Sequence, residues 1–351
     1  MEVEAPGKHP ITHKGNQYGL RTWLVWIAAL AGVWIFNYFT DQFDPYYFTI
    51  VMYAGINIIL AVSLNLVNGF TGQFSMGHAG FMSVGGYIAA FVTTSLQTAH
   101  PQIFANPLTA NLALLGVLLL GGLGASAAGY LVGLPSLRLK GDYLAIVTLG
   151  LGEIIRVVIL NVDAIGGARG LANIPPLSTF GWVYSFVVIT IFVVWRLVNS
   201  AMGRSFLSVR EDEIDAEAMG VNTTQAKVRA FVIGAFFAGV AGGLFAHYLR
   251  YLNPQTFDFN KSFEIIIMVV LGGMGSVTGS VFAAIFLTGI KEALRPLQEI
   301  TKLDFRMIIY SLVLIIMMLT RPNGVFGTRE FTDFLPERLR RRFTGKGVHV
   351  S

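Results

Sequence analysis

Long apolar runs alternate with short polar or glycine-rich segments along almost the whole chain. Ten of these runs are long enough to cross a bilayer as helices, for which ~20 residues suffice, although the two runs beside Gly272–Gly275 are short. The predicted spans are Trp23–Phe39, Tyr46–Val67, Ala79–Leu96, Leu112–Leu134, Tyr143–Asn161, Trp182–Leu197, Ala230–Leu249, Ser262–Leu271, Val277–Ile290 and Met307–Leu319. The pattern predicts an all-α polytopic membrane protein with about ten transmembrane helices.

Two glycine-rich breaks interrupt the apolar pattern, one within Asn68–Gly77 and the other at Gly272–Gly275. Each break precedes a helix rich in small residues, so we predict pseudo-repeat halves with one broken or re-entrant helix each. Irregular backbone at membrane depth is tolerated where it is buried in protein or lines a cavity. Paired interrupted helices are typical of substrate routes in transporters. The other interpretation is that these glycines only allow close helix packing.

The passage interpretation gives a set of candidate substrate-contacting residues. They are Asn68, Gln73, Ser75, Gly77, Gly272, Gly273 and Gly275. Amide and hydroxyl groups can replace part of the hydration of a ligand, and glycines leave room for it. We therefore expect the two breaks to approach each other near the middle of the membrane.

An acid and a base lie within the apolar span Tyr143–Asn161. Glu153 and Arg156 are three residues apart and so share one face of a helix. Because isolated charges in a membrane are costly, we predict that the two side chains pair with each other or face the protein interior. Structural pairing and substrate contact are both compatible with this spacing.

The segment Gly203–Gly220 holds seven charged residues, in a chain that is 13% charged. Ser208 and Glu211 have the spacing of a capping box, and Gly220 is a natural stop. We therefore predict a short helix over Ser208–Met219, followed by a long apolar helix capped by Thr223 or Thr224. The segment is either a solvated connection between two spans or a docking helix for a soluble partner.

Composition and charge place the chain in a membrane and suggest its orientation. The chain is 54% apolar, whereas soluble domains average ~45–50%. If both termini are cytoplasmic, 17 of the 25 Lys and Arg residues lie on the cytoplasmic side, as the positive-inside rule requires. We predict a cytoplasmic tail at 1–21, a transmembrane domain at 22–327 with a cytoplasmic loop at 203–225, and a basic cytoplasmic tail at 328–351.

The sequence holds no pattern typical of an enzyme. There is no cysteine, so thiol chemistry is excluded. No phosphate-binding G-x-x-x-x-G-K-[ST] motif occurs, and no metal-spaced cluster or nucleophile motif stands out. We therefore predict no catalytic residue, no metal and no cofactor, and any ATP that drives the protein must be hydrolysed by another chain. The net charge of +5 requires no nucleic acid, because basic residues mark the cytoplasmic side of a membrane protein.

Five segments together resemble the permease subunits of branched-chain amino acid ABC importers, and the likeness is closest to the LivM branch. They are SLNLVNGFTGQFSMGHAGFMSVGGYIAA (Ser63–Ala90), GDYLAIVTLGLGEIIR (Gly141–Arg156), VREDEIDAEAMGVN with FVIGAFFAGVAGGLFAHYL (within Val209–Leu249), FDFNKSFEIIIMVVLGGMGSVTGS (Phe257–Ser280) and RPNGVFG (Arg321–Gly327). The likeness covers about residues 46–327, and its motifs agree in order.

The resemblance implies a subunit of an importer in the bacterial inner membrane. It implies a second, related permease, two ATPase subunits and an extracytoplasmic binding protein as partners. The cytoplasmic loop would dock on an ATPase through Asp215, Ala216, Glu217, Ala218 and Gly220. A urea or short-amide permease of the same superfamily, an ion-coupled transporter and a membrane enzyme remain alternatives.

The orientation can be tested by cysteine labelling, because the chain contains no cysteine of its own. We expect single cysteines at Ser351 and Ala105 to react with impermeant reagents from opposite sides of the membrane, since the basic segments favour cytoplasmic termini. Labelling of both positions from the same side would contradict the ten-span arrangement.

Overall fold

The computed structural model describes residues 17–136 and 142–295, together with 312, 315, 316, 319–321, 324–327 and 330. The α-helices are α1 (Gln17–Tyr38), α2 (Pro45–Asn65), α3 (His78–Ala99), α4 (Gln102–Ala105), α5 (Pro107–Ser136), α6 (Asp142–Leu160), α7 (Phe180–Val198), α8 (Ala201–Glu211), α9 (Glu213–Ala218), α10 (Thr223–Leu249), α11 (Phe259–Gly272) and α12 (Val277–Ala293). A π-helical turn, Leu66–Phe70, extends α2. Short 3₁₀ turns occupy Thr40–Gln42, Asp163–Ile165, Gly167–Arg169 and Pro254–Phe257.

Six of these helices are long and apolar enough to cross a bilayer, namely α2 with its π-helical extension, α3, α5, α6, α7 and α10. The apolar part of α1 is shorter, and α11 and α12 hold 14 and 17 residues. The predicted all-α polytopic membrane fold is therefore confirmed. Most of the predicted tenth span and of the two predicted tails lies outside the described residues.

α2 is the central helix of the bundle and contacts α7, α10, α11 and α12. Every residue from Ala54 to Phe70 is buried, so this stretch is surrounded by protein. Its polar side chains have partners there. The Asn57 amide donates to Thr288 Oγ1 (3.0 Å), and Ser63 Oγ lies 2.9 Å from His78 Nε2. A polar group buried with a partner avoids most of its desolvation cost.

Glycines bring α3, α5 and α10 into close contact. A Cβ atom at Gly85 of α3 would overlap the backbone of Gly239 in α10, and a Cβ at Gly242 would overlap the Met82 carbonyl. A Cβ at Gly121 of α5 would lie 2.6 Å from the Gly85 carbonyl oxygen. Small residues let membrane helices approach closely enough for their backbones to pack. Close helix packing therefore explains the glycines at the contact of α3, α5 and α10.

The first helix of the polar segment between α7 and α10 begins earlier than predicted, with its cap at Ser200 instead of Ser208. Ser200 caps α8, because its hydroxyl accepts a hydrogen bond from Gly203 N (3.3 Å). The predicted start at Ser208 is wrong. Ser208 lies inside α8, where its hydroxyl donates to the Ser205 carbonyl (3.0 Å) instead of capping a first turn.

A second short helix, α9, completes this segment. The Asp212 carboxylate caps it by accepting from two backbone N–H groups of its first turn, at 2.8 and 3.2 Å. Gly220 ends α9 with a φ of +84°, and the predicted stop is confirmed. The cap of α10 is Asn222 rather than Thr223 or Thr224, because the Asn222 side chain already accepts the free N–H of Gln225 (2.9 Å).

The close contact between α3 and α10 predicts how a single added methyl group changes the stability of the protein. We expect Gly85→Ala to lower the free energy of unfolding by about 1–3 kcal/mol, because the methyl group must push two backbones apart. Thermal unfolding of the detergent-solubilised protein measures the effect. Gly116→Ala in α5 is the matched control, since no atom lies within 4 Å of its added Cβ. Equal destabilisation by both variants would contradict this account.

Candidate functional site

The two glycine-rich breaks contact each other through the side chain of Asn65. This buried amide accepts a hydrogen bond from Gly275 N (2.9 Å) and donates to Ser276 O and Ser280 Oγ, both at 2.8 Å. A Cβ at Gly69 would overlap both Asn65 Oδ1 and the Gly275 nitrogen. The end of α2 and the start of α12 are therefore held in direct contact.

The contact between the breaks lies closer to one end of the bundle than we expected. Asn65 and Gly69 belong to the last turns of the 26-residue helix Pro45–Phe70, and this end packs against α8. The two breaks meet as expected, and the depth of their contact in the membrane stays a prediction. The contact lies near this end of the bundle because α2 is long. It continues as a π-helical turn through the predicted start of the first break.

In the first break, two of the three polar candidates bond to each other. Asn68 Oδ1 accepts from Ser75 N (3.1 Å), and Asn68 Nδ2 donates to Ser75 O (3.3 Å). Gln73 differs, because its side-chain amide is buried and neither Oε1 nor Nε2 has a partner among the described residues. A buried amide without a partner is costly. Gln73 is therefore the candidate in this break with spare hydrogen-bonding capacity for a ligand.

Gly77 marks the end of the first break, where α3 begins. A Cβ at Gly77 would overlap the carbonyl oxygen of Thr148 in α6. Thr148 Oγ1 also accepts a hydrogen bond from Met76 N (3.0 Å). The first break is therefore closed on this side by α6, and Gly77 provides close backbone contact.

The second break is covered by the chain that follows the last predicted span. Val325 N donates to Leu271 O (2.9 Å), and Phe326 N donates to Gly272 O (3.2 Å). Gly273 and Gly275 have φ angles of +116° and +97°, which L side chains rarely adopt. Backbone bonds thus complete this break, and it is tightly packed.

A carboxylate caps the helix that leaves the second break. Glu330 accepts hydrogen bonds from Val277 N (2.7 Å) and Thr278 N (3.0 Å), and it also accepts from the Thr278 hydroxyl. These N–H groups belong to the first turn of α12 and have no partner within the helix. The negative charge also suits the positive end of the helix dipole.

Arg210 of α8 lies against both breaks, and the sequence analysis did not single it out. A Cβ at Gly72 would lie 3.3 Å from Arg210 Cα, and one at Gly275 would lie 2.5 Å from Arg210 Nη1. The side chain therefore reaches from the first break to the second. The signal available in the sequence was the position of Arg210 directly before an acidic run.

The predicted contact residues of the cytoplasmic loop lie on α9 and at its end. Asp215, Glu217, Ala218 and Gly220 are exposed, whereas Ala216 is buried against the rest of the chain. The helix is also tied to α10. Lys227 Nζ pairs with Glu213 Oε1 (2.7 Å), and the Thr223 hydroxyl donates to Glu217 Oε1 (2.6 Å). Four of the five predicted contact residues are therefore accessible to a partner protein.

Two large apolar side chains are exposed beside these residues. Ile214 is 71% exposed and Met219 is 84% exposed. Both belong to a polar segment outside the membrane-spanning helices, where exposed apolar groups gain nothing from lipid. Adjacent exposed apolar groups on such a surface indicate a protein contact.

The intramembrane acid and base form an ion pair on α6. Arg156 Nε and Nη2 both lie 2.7 Å from Glu153 Oε2. The two side chains are partly exposed, 24% for Arg156 and 34% for Glu153. No hydrogen bond or ion pair joins this pair to the breaks within the described residues. Mutual pairing accounts for both charges.

A second polar cluster, which the sequence analysis missed, lies at the other end of the bundle. Lys261 Nζ lies 3.1 Å from Glu264 Oε2, and Lys291 Nζ lies 3.0 Å from Glu264 Oε1. The cluster lines a cavity of about 490 Å³ between α2, α10, α11 and α12. The signal for this cluster in the sequence was the presence of three charged residues next to two short apolar spans. The described residues contain no group of three or more His, Cys, Asp or Glu side chains that could hold a metal ion.

Known proteins similar to this chain are transport permeases. Residues 46–318 match the family described as the permease component of the branched-chain amino acid transport system. The high-affinity branched-chain amino acid permease protein LivM of Escherichia coli is 33% identical, over 89% of this chain and 76% of LivM. The probable LivM of Methanocaldococcus jannaschii is 28% identical, over 79% and 92%. The permease protein LivH of Escherichia coli is 32% identical, over 45% and 50%. No solved structure matches.

The contact between the breaks can be tested by hydrogen exchange. We expect Gly69→Ala to speed amide exchange in a peptide covering the second break by roughly fivefold, the effect of losing one hydrogen bond, because the methyl group displaces Gly275 N from Asn65. Gly289→Ala in α12 is the control, since its added Cβ meets nothing within 4 Å. Unchanged exchange in Gly69→Ala would show that the breaks are not held together in this way.

Proposed function

This chain belongs to the family of branched-chain amino acid transport permeases, and we propose that it forms part of the transmembrane passage of an ABC importer for aliphatic amino acids. The importer resides in the bacterial inner membrane, with both termini of the chain in the cytoplasm. The chain acts as a membrane subunit and not as an enzyme. The family match and the apolar helices support this proposal.

The proposal includes partners that perform the steps this chain has no groups for. Two ABC ATPase subunits hydrolyse the ATP, because the sequence contains no phosphate-binding loop of its own. A second, related permease completes the passage, and the likeness of this chain to both LivM and LivH supports such a pair. An extracytoplasmic binding protein delivers the amino acid. Membrane lipid surrounds the subunits, and no nucleic acid takes part.

The observation that carries the coupling step is the exposed face of α9. Ile214, Ala218 and Met219 are exposed there, and Asp215 and Glu217 add acidic groups. An ATPase that covers this face buries the apolar side chains, while the acidic groups fix its orientation. The capped ends of α9 and its bonds to α10 hold the face in one position, so less conformational freedom is lost on docking.

Motion of the docked helix reaches the breaks through α8. Arg210 lies at the end of α8 and contacts both breaks, so a displacement of α8 changes the contacts that Arg210 makes with Gly72 and Gly275. The breaks are packed closed in this conformation, and separating them opens the passage. Gln73 then offers its unpartnered amide to the ammonium or carboxylate group of the passing amino acid. Asn68, Ser75 and the remaining glycines of the two breaks shape the passage around it.

Ala218→Arg tests the docking of α9. In the assembled importer reconstituted in vesicles, we expect ATP-dependent leucine uptake to fall by roughly tenfold or more, the size of effect that central interface residues show. Stimulation of ATP hydrolysis by the loaded binding protein should fall with it. Ala201→Arg is the matched control, because Ala201 is also exposed but lies at the far end of α8.

The same assay decides between the alternatives. Normal leucine uptake and ATPase stimulation in Ala218→Arg would show that α9 is a plain connector. Uptake of urea or short amides in place of leucine would assign the chain to the neighbouring branch of the superfamily. Leucine uptake that follows an ion gradient without ATP would indicate an ion-coupled transporter.

A further inference from the structure

We propose that the cavity between α2, α10, α11 and α12 binds the carboxylate group of an amino-acid ligand between Lys261 and Lys291. α11 begins and α12 ends at this cavity, whereas the break that joins them contacts α8. The cavity therefore lies at the opposite end of the bundle from α8 and α9. The identity of the ligand rests on the proposed function, but the geometry of the anion site does not.

The lysines have hydrogen-bond donors to spare. Lys261 Nζ donates to Asn57 Oδ1 (3.2 Å) and Glu264 Oε2 (3.1 Å), and Lys291 Nζ donates to Glu264 Oε1 (3.0 Å). Each ammonium group carries three donors. One N–H of Lys261 and two of Lys291 are thus without an acceptor among the described residues. A carboxylate accepts such bonds with both of its oxygens.

Within the described part of the chain, the two lysines share a single carboxylate partner, that of Glu264. Both ammonium groups contact the carboxylate of Glu264, and the carboxylates of Asp258 and Glu292 also line the cavity. Only 14% of the Lys261 side chain and 9% of the Glu264 side chain are exposed. Burying charges costs several kcal/mol per ion after relaxation, so buried ammonium groups gain from each further anionic partner. A ligand carboxylate is such a partner, and the two ammonium groups can share it.

The cavity walls suit an amphiphilic ligand with an aliphatic side chain. Tyr53, Phe245 and Leu249 provide an apolar wall beside the lysines. Glu292 also lines the cavity and is only loosely engaged, 3.5 Å from the Tyr46 hydroxyl and 3.6 Å from Arg295 Nη1. Its carboxylate can receive the ammonium group of the ligand. The volume of about 490 Å³ lies within the range of small-molecule sites.

Ligand-detected NMR titration of the purified full-length chain tests the site with three probes. Leucine carries both charged groups, 4-methylpentanoate lacks the ammonium group, and 3-methylbutylamine lacks the carboxylate. We expect the two carboxylates to bind and the amine to fail. Lys291→Gln should raise the Kd of both carboxylates by about tenfold or more, because a charge-assisted hydrogen bond is lost. Lys291→Arg should preserve binding.

Two further variants exclude a general loss of structure. Glu264→Gln should lower the Kd of 4-methylpentanoate, because the competing carboxylate no longer occupies the lysines, and structural damage would not tighten binding. Arg229→Gln removes one exposed positive charge at the other end of α10 and should leave every Kd unchanged. Tighter binding in Glu264→Gln together with weaker binding in Lys291→Gln would establish the site.

Several outcomes overturn the proposal, and they are separable from a failure of the proposed function. Equal binding of leucine by Lys291→Gln and the wild-type chain would overturn it, as would binding of the amine alone or of no probe. If the chain binds no probe while the assembled importer takes up leucine, only the anion site is wrong. If the carboxylates bind as expected while the importer does not transport leucine, the proposed function is wrong and the site stands.

Discussion

The side chain of Asn65 is the interaction on which the arrangement of the broken helices depends. In a bilayer every backbone polar group must find a partner within the protein, and a break in a helix leaves several without one. Asn65 satisfies backbone groups of Gly275 and Ser276 from the end of α2. Asn68 and Thr148 do the same within the first break, and Glu330 does so for α12. Side chains thus replace the missing turns of helix.

Partnering of the backbone by single side chains explains why the breaks are closed and why few hydrogen bonds hold them together. Where glycine meets backbone, as at Gly69 against Gly275 and Gly273 against Gly327, little volume is left for a ligand. A contact built from single side-chain hydrogen bonds is weaker than a continuous helix, because each bond contributes only about 1 kcal/mol net. Separating the two breaks would therefore cost only a few kcal/mol in hydrogen bonds. The same glycines serve as packing contacts in this state, and in the proposed open state they would border the passage.

The sequence predicted the six long apolar helices, the two breaks and the stop at Gly220, because each depends on local pattern. It failed at Ser208, where a capping-box spacing occurred inside a helix already started at Ser200. It also missed the cluster of Lys261, Glu264 and Lys291. Lys291 is 27 residues from Glu264, and only the antiparallel packing of α11 and α12 brings them together. Long-range contacts of this kind have no local signal, and the same is true of the position of Arg210 between the breaks.

The two ends of α11 connect the polar features of the structure. Glu264 lies near its start, beside the charged cavity, and Gly272 lies at its end, in the second break. Since α11 has only 14 residues, about 21 Å of helix, a rigid shift displaces both ends together. An amino acid that draws Lys261 and Lys291 away from Glu264 changes the forces on the start of α11. In the proposed importer, an ATPase docked on α9 would act on the other end of α11 through α8 and Arg210. Ligand and ATPase can therefore act on one rigid element, which is the physical requirement for coupling two distant sites.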